Sequence, residues 1–287
     1  MSHTFLLIDG HSLAFRAFYA LPDSLRDPNG EPIQAVYGFL SILFRQIAEL
    51  EAEFVAVTFD IGRSIRETWF ADYKAGRQEI DPDVQRQVER LQEVLKALTI
   101  PMYIVPGYEA DDIIATLVRQ AATQEDLHTI VLSGDRDLFG VIGPRTTILY
   151  PTRSMKQAER YDAARLYKRW AIKPTQVADF KALVGDSSDN IPGVRGIGEK
   201  TAAKLLQQFG TLEEIYANVE QISAKRARNA LMTGRESAFL SQRLARLIDN
   251  VPHITFERAA CRLEYDRARV EEVFDRFGFG NLRKRLP

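Results

Sequence analysis

The stretch GYEADD, residues 107–112, places Glu109, Asp111 and Asp112 within four positions, just before an apolar run. Like charges at that spacing repel, so the crowding is a cost unless a cation relieves it. Acids recur where other apolar runs stop: Asp9 after TFLLI, Asp60 after EFVAVTF, and Asp135 with Asp137 after HTIVLSG. Asp186 and Asp189 stand together in the polar turn GDSSDN. Facing one cleft, these carboxylates would raise one another's pKa values, and hard divalent cations held by oxygen alone would relieve the repulsion. The four histidines and the single cysteine, Cys261, show no metal-ligand spacing. The expected ions are therefore Mg²⁺ or Mn²⁺, as a pair about 4 Å apart. One Asp at a strand end is more often a helix cap or turn former. Recurrence at four segment ends is what argues for a site.

A parallel sheet would bring such acids together, because all its strands end at the same edge. TFLLIDG (4–10), EFVAVTFD, PMYIVPG, HTIVLSGDRD and TTILYP read as strands without polar alternation. Between them, Val36, Phe39, Leu40, Leu43, Ile47 and Leu50 recur at helical spacing, as do Val84, Val88, Leu91, Leu95 and Leu98, and then Ile113, Ile114, Leu117 and Val118. This pattern predicts an α/β fold with a mostly parallel central sheet flanked by helices. From about residue 160 helical segments dominate, and a boundary is expected near 172. No run of about 18 apolar residues is present, so no membrane span is expected. MSHTFLLIDG is too short and too soon acidic to read as a secretory signal, and one cysteine suits a reducing cytoplasm. Cys261 is expected as a buried small hydrophobe.

The net charge of −1 looks unfavourable for a nucleic-acid partner, yet it depends on where the acids lie. Setting the nine named acids aside leaves 30 of the 39, against 38 Lys and Arg. A basic surface around an acidic pocket would suit a phosphate backbone. IGRSIRETWFADYKAGR interleaves Arg63, Arg66, Lys74 and Arg77 with Trp69, Phe70 and Tyr73, a mixture that suits single-stranded nucleic acid or, alternatively, an amphipathic helix packed on the core. GVRGIGEKTAAKLL sets Gly193, Gly196 and Gly198 before a helix, so that backbone N–H groups at the helix start face a phosphate. A plain helical corner is the alternative.

Over essentially its full length the chain resembles the 5′ nuclease domains of bacterial DNA polymerases I, members of the flap-endonuclease family. The motifs that carry the resemblance are LLIDGHSLAFRAFYALP, AVYGF, FDIGRSIRETWFADYKAGR, GYEADDIIATL, SGDRDL and KALVGDSSDNIPGVRGIGEKTAAKLL, in that order. The resemblance implies a resolvase-like, PIN-like nuclease domain over 1–172, with a helical arch at about 62–85. It also implies a smaller all-helical helix–three-turn–helix DNA-binding region over 173–287, with its helix-hairpin-helix at about 185–210. It assigns Asp9, Asp60, Glu109, Asp111, Asp112, Asp135, Asp137, Asp186 and Asp189 to the metal site. Lys74 and Arg77 would contact the scissile phosphate with Tyr73 beside them, while Arg16, Arg66 and Lys181 would contact substrate. Gly193, Gly196, Gly198 and Lys200 would grip duplex backbone, with a K⁺ bound there.

The implied activity is Mg²⁺-dependent, two-metal hydrolysis of DNA at 5′ flaps and 5′ ends, serving replication and repair such as removal of RNA primers or flaps. The implied partner is DNA with a 5′ flap or 5′ end at a duplex junction, RNA–DNA hybrids included. A monomer in the bacterial cytoplasm, at the nucleoid, is expected, associated covalently or functionally with a DNA polymerase. A full polymerase would continue past FGFGNLRKRLP, which leaves both a stand-alone nuclease and an excised domain open. Two other readings also stay open here: a non-enzymatic DNA-structure binder whose acids serve structure, and a metal-dependent ribonuclease of the PIN type.

Overall fold

The computed structural model describes residues 2–76, 81–152 and 158–287. Strands β1 (His3–Asp9), β2 (Phe54–Thr58), β3 (Met102–Tyr103), β4 (Leu127–Leu132), β5 (Thr146–Pro151) and β6 (Ala158–Tyr161) form one sheet in the order β3-β2-β1-β4-β5-β6. All pairings are parallel except β5 with β6. The helices among the described residues are α1 (Gly10–Ala20), α2 (Gln34–Leu50), α3 (Arg66–Trp69), α4 (Pro82–Ala97), α5 (Ala110–Ala121), α6 (Ala163–Trp170), α7 (Val177–Val184), α8 (Glu199–Phe209), α9 (Leu212–Ala217), α10 (Lys225–Thr233), α11 (Arg235–Ala245), α12 (Arg267–Phe277) and α13 (Gly280–Arg283).

The apolar run of β1 splits cleanly between two cores, because successive side chains point to opposite faces. Leu6 and Ile8 join Val55, Val57, Leu40, Leu43, Leu91 and Leu95 on the side of α2 and α4. Phe5 and Leu7 join Phe54, Ala56, Ile113, Ile114 and Leu117 on the side of α5. Each such residue, fully buried, contributes about 1.5–3 kcal/mol. This two-sided burial is the stabilisation against which any crowding of charge at the sheet edge must be set. Cys261 is buried, as expected of a small hydrophobe, and its carbonyl receives the N–H of Val55.

Three elements differ from the sequence expectation. PMYIVPG contributes only the two residues of β3, since β2 ends at Thr58 and leaves nothing further to pair with. β6 was not anticipated: AERY is short, polar and mostly outside the core. The tail, expected to belong with the helices after 172, packs against the α2 and α4 side of the sheet. Val270, Phe274, Phe277, Phe279 and Leu282, from α12 to α13, join the core that holds α2 and α4. The middle helices α7 to α11 pack together instead, and Leu183, Leu206, Ile215 and Ala238 extend the α5-side core. Among the described residues no helix is long and apolar enough to cross a membrane.

Candidate active site

β1, β2 and β4 are parallel, so their C-terminal ends share one edge, and the chain sets an acid at each. Asp9 caps α1: one oxygen accepts the Ser12 N–H at 3.0 Å and the other the Ser133 hydroxyl at 2.7 Å. Ser133 Oγ also accepts the Asp135 N–H at 3.0 Å, so one buried hydroxyl links the ends of β1 and β4. Asp60 accepts the Ala110 N–H at 2.6 Å and so ties the end of β2 to the start of α5. Glu109 is the N-cap residue of that helix and Asp111 lies in its first turn.

The electrostatics report the convergence. Burial, then Asp60, pushes Asp9 up from its ordinary 3.8 to about 7. Asp111 is raised well above its ordinary range by burial first and then by Asp135, Asp9 and Asp60, with Lys74 opposing. Asp135 is raised too: burial is the largest cause, Lys181 and Lys74 oppose it, and Asp189 and Asp186 add to it. Asp60 is lowered, because His11, the Ala110 N–H and Lys74 together outweigh its burial. These acids are close enough to repel, but not drawn around a point. Among the described residues, no group of three or more His, Cys, Asp or Glu side chains forms a ready metal cage.

Lysines and a tyrosine hold the remaining acids. Lys74 Nζ lies 2.7 Å from Glu109 Oε1, and the Tyr73 hydroxyl donates to Glu109 Oε2 at 3.1 Å while facing Asp189 Oδ2 at 3.5 Å. Lys181 Nζ bridges Asp186, at 2.6 Å, and Asp137. The donor set toward the cleft is all oxygen, and the local charge is negative enough to need cations. That chemistry fits a hard divalent ion.

Asp112 is held differently from the other eight predicted acids, and it joins Glu109 through the Glu109 N–H and through Arg66, which lies 3.6 Å from Glu109 Oε2. Asp112 is fully buried behind the site, in a two-pronged ion pair with Arg66 at 2.6 and 2.7 Å. The Ile248 N–H, at 2.8 Å, and the Glu109 N–H occupy its oxygens further. Arg66, expected to contact substrate, is 2 % exposed and also donates to the carbonyls of Leu244 and Arg246. Lys181, expected to contact substrate, is buried between two acids. Tyr73 is buried too, and Trp69 and Phe70 pack with it against α11, where the Arg243 guanidinium lies 4.2 Å over the Trp69 ring. Of the two readings left open for this aromatic stretch, the packing favours the amphipathic one, with Trp69 and Phe70 partly buried.

Arg16 donates to Thr152 O at 2.7 Å and flanks Gly134 beside the cleft. Arg77, and part of the expected arch at 62–85, lie outside the described residues. Among the hairpin glycines, Gly193 is buried, and its N–H goes to Ser241 Oγ, so it faces the interior and not a phosphate. Gly196 (φ 96°), Gly198 and Lys200 are exposed at the start of α8, whose N-cap Gly198 provides no side-chain acceptor for the first N–H groups. Sequence reasoning missed Ser133, His11 and Asn190. Their only signal was adjacency, in SGDRD, IDGH and SSDN, to acids already chosen.

Residues 4–171 match the model of the 5′-3′ exonuclease N-terminal resolvase-like domain, and residues 172–268 that of the 5′-3′ exonuclease C-terminal SAM fold. The chain belongs to the 5′-3′ exonuclease family. DNA polymerase I of Chloroflexus aurantiacus is 43% identical over 98% of this chain and 30% of that protein. DNA polymerase I of Bacillus caldotenax is 40% identical over the whole of this chain and 32% of that protein, so the chain spans about a third of the length of such curated relatives. Among solved structures, the bacteriophage T5 flap endonuclease in a pseudo-enzyme-product complex with DNA and metal ions superposes with a TM-score of 0.72 at 22% identity, covering 96% of this chain and all of that one. At that identity the likeness shows the exonuclease-family fold: a mostly parallel sheet flanked by helices, with a SAM-like helical part.

Proposed function

We propose that this chain is a metal-dependent, structure-specific 5′ nuclease, cutting DNA at 5′ flaps and 5′ ends as flap endonuclease and 5′-3′ exonuclease in replication and repair. The observation that carries the reading is the convergence of Asp9, Asp60 and Asp135 on one parallel-sheet edge, joined by Ser133 and by the Ala110 N–H, with Asp111 in the first turn of the helix that starts there and Lys74 and Lys181 beside them. A fold retains crowded, buried carboxylates at such an edge where they serve a ligand site. Two or more Mg²⁺ ions, with Mn²⁺ able to substitute, would be held by Asp9, Asp60, Glu109, Asp111 and Asp135, with Asp137, Asp186 and Asp189 beside them, and would supply a water of near-neutral pKa and stabilise the departing 3′ oxygen.

The protein's own groups supply the rest. Lys74 offers a positive charge to the phosphoryl oxygens as negative charge builds on them. Glu109 aims that ammonium through their 2.7 Å contact, and Tyr73 fixes Glu109 in turn. Arg77 joins Lys74 on the resemblance alone. Gly196, Gly198 and Lys200 offer N–H groups and a charge to a duplex backbone, and a K⁺ belongs to the same reading. We read 1–172 as the nuclease domain and the helices that follow, apart from α12 and α13, as the duplex-binding region. Its relatives are polymerases, which supports a polymerase partner and a monomer working at the bacterial nucleoid.

Labelled 5′-flap DNA and single-stranded RNA, each incubated with Mg²⁺ or with EDTA, test the proposal. Mg²⁺-dependent cutting of the flap near its junction, leaving 5′-phosphate and 3′-hydroxyl ends, is expected. Binding without cutting in Mg²⁺, or a preference for the RNA, would overturn it.

A further inference from the structure

Asn190 stands next to Asp189 in the GDSSDN turn, with a left-handed backbone at φ 56°. Its side-chain Nδ2 donates to two carbonyls of a distant segment, Asp72 O at 2.9 Å and Ala75 O at 2.6 Å. Those carbonyls flank Lys74, whose own N–H donates to Asp189 O at 3.0 Å. Lys74 is itself left-handed, at φ 55°, and Gly76 follows at φ 79°. A lysine in that conformation is strained and persists only where its surroundings impose it. The Asp189–Asn190 pair imposes it here, through three hydrogen bonds to residues 72–75.

The turn that holds Asn190 is firm enough for the task. Asp186 and Ile191 exchange both backbone hydrogen bonds at 2.8 Å, and the Asp189 N–H closes on Asp186 O. At its base Gly185 and Gly193 touch so closely that a Cβ on Gly193 would meet Gly185 N at 2.3 Å. The chemistry also selects the residue: two carbonyls need two N–H groups from one centre at short reach. A primary amide on one methylene provides them, whereas Asp has no donor and would repel both carbonyls. Asn also tolerates the left-handed backbone better than most residues.

We infer that Asn190 is a positioning residue, holding the turn of residues 72–75 so that the Lys74 ammonium reaches the carboxylates. It touches no reacting atom and acts through Lys74, so the inference rests on the catalytic reading of Lys74 proposed above. A misplacement of a charged group by about 1 Å can cost about 10²-fold in rate.

The experiment compares single-turnover cleavage of 5′-flap DNA in Mg²⁺ by the whole chain, Asn190→Gly, Lys74→Ala and the double variant, with flap affinity and Tm measured beside it. Asn190→Gly keeps the left-handed backbone and removes only the amide. A fall in rate of about 10-fold to 10²-fold is expected, with flap Kd and Tm near those of the parent. Removing Asn190 from the Lys74→Ala background should cost nothing more, which a merely structural role would not produce. A parental rate in Asn190→Gly beside an impaired Lys74→Ala overturns the inference alone, as do losses that add in the double variant. A parental rate in Lys74→Ala overturns the role of Lys74 and this inference with it. Should Asn190→Gly melt early, Asn190→Ser, which keeps one donor, should show an intermediate rate at parental Tm, and a rate equal to the parent's would again refute the clamp.

Discussion

Replacing Arg66 by alanine separates a substrate contact from a structural one. The guanidinium makes two bonds to Asp112, at 2.6 and 2.7 Å, and one each to the carbonyls of Leu244 and Arg246 at 2.9 Å. It thereby joins α3, α5 and the end of α11. Without it, Asp112 keeps the Ile248 and Glu109 N–H groups but loses its counter-charge in a site with no solvent access. Breaking one partner of a buried pair costs about 3–5 kcal/mol, because the other charge remains buried. At about 2–4 °C per kcal/mol for a chain near this size, Tm should fall by roughly 10 °C.

A phosphate contact predicts a different pattern. Losing one would weaken DNA binding about uniformly across sequences and lower its salt dependence by about one ion, with Tm unchanged. Thermal melts and urea titrations of Arg66→Ala, together with flap-DNA affinity at several salt concentrations, distinguish the two. A variant that melts within about a degree of the parent yet binds DNA with a shallower salt slope would refute the structural assignment. Asp112→Asn provides the reciprocal check: it should destabilise comparably while flap binding by the folded protein persists.

Asp111→Asn should abolish cleavage of a 5′-flap substrate while leaving flap affinity intact or tighter, since a negative charge leaves the DNA side; normal turnover would remove Asp111 from the chemistry. Lys74→Ala should lower the single-turnover rate by about 10² or more if the ammonium stabilises developing charge, and a change confined to Kd would make it only an anchor. Without metal, Asp9 keeps its proton to about pH 7 when folded but releases it near 3.8 when unfolded, so the folded state binds more protons between those values and stability falls as pH rises through them. Mg²⁺ should therefore raise Tm more at pH 8 than at pH 5, and an equal or reversed effect in melting curves would contradict the crowding. Gly193→Ala should cost about 2–4 kcal/mol from a left-handed backbone and a contact with Gly185, leaving the DNA affinity of the folded fraction unchanged.

The sheet and the acids were legible in sequence because each rests on a local pattern. Apolar runs without alternation mark strands covered on both faces, and an acid ending each run marks the shared edge. Asp111 and Asp112 could not be told apart that way. Neighbours on a helix point about 100° apart, so one faces the cleft and the other faces Arg66, a residue 46 positions away that no local window contains. The acids that Tyr73 and Lys181 meet could not be foreseen either: Glu109 and Asp189 lie 36 and 116 positions from Tyr73, and Asp186, although only five positions from Lys181, belongs to a turn whose path the local pattern does not give. β6 escaped because four residues of mixed polarity carry no periodicity, and the tail helices because their apolar stripe does not say which core it joins.

The cap reading and the ligand reading of the strand-end acids are not alternatives. Asp9 accepts a backbone N–H and a hydroxyl, Asp60 accepts the first N–H of α5, and Asp135 accepts the Asp137 N–H at 2.9 Å. These donors are neutral. They fix the place of each carboxylate without cancelling its charge, so burial first, and neighbouring acids after it, still raise Asp9 and Asp135 above the usual carboxylate range. Asp112 shows the opposite arrangement, with its charge matched by a guanidinium at 2.6 Å. Glu109, Asp137 and Asp186 lie between the two, each facing a lysine ammonium while staying beside the uncompensated acids of the sheet edge.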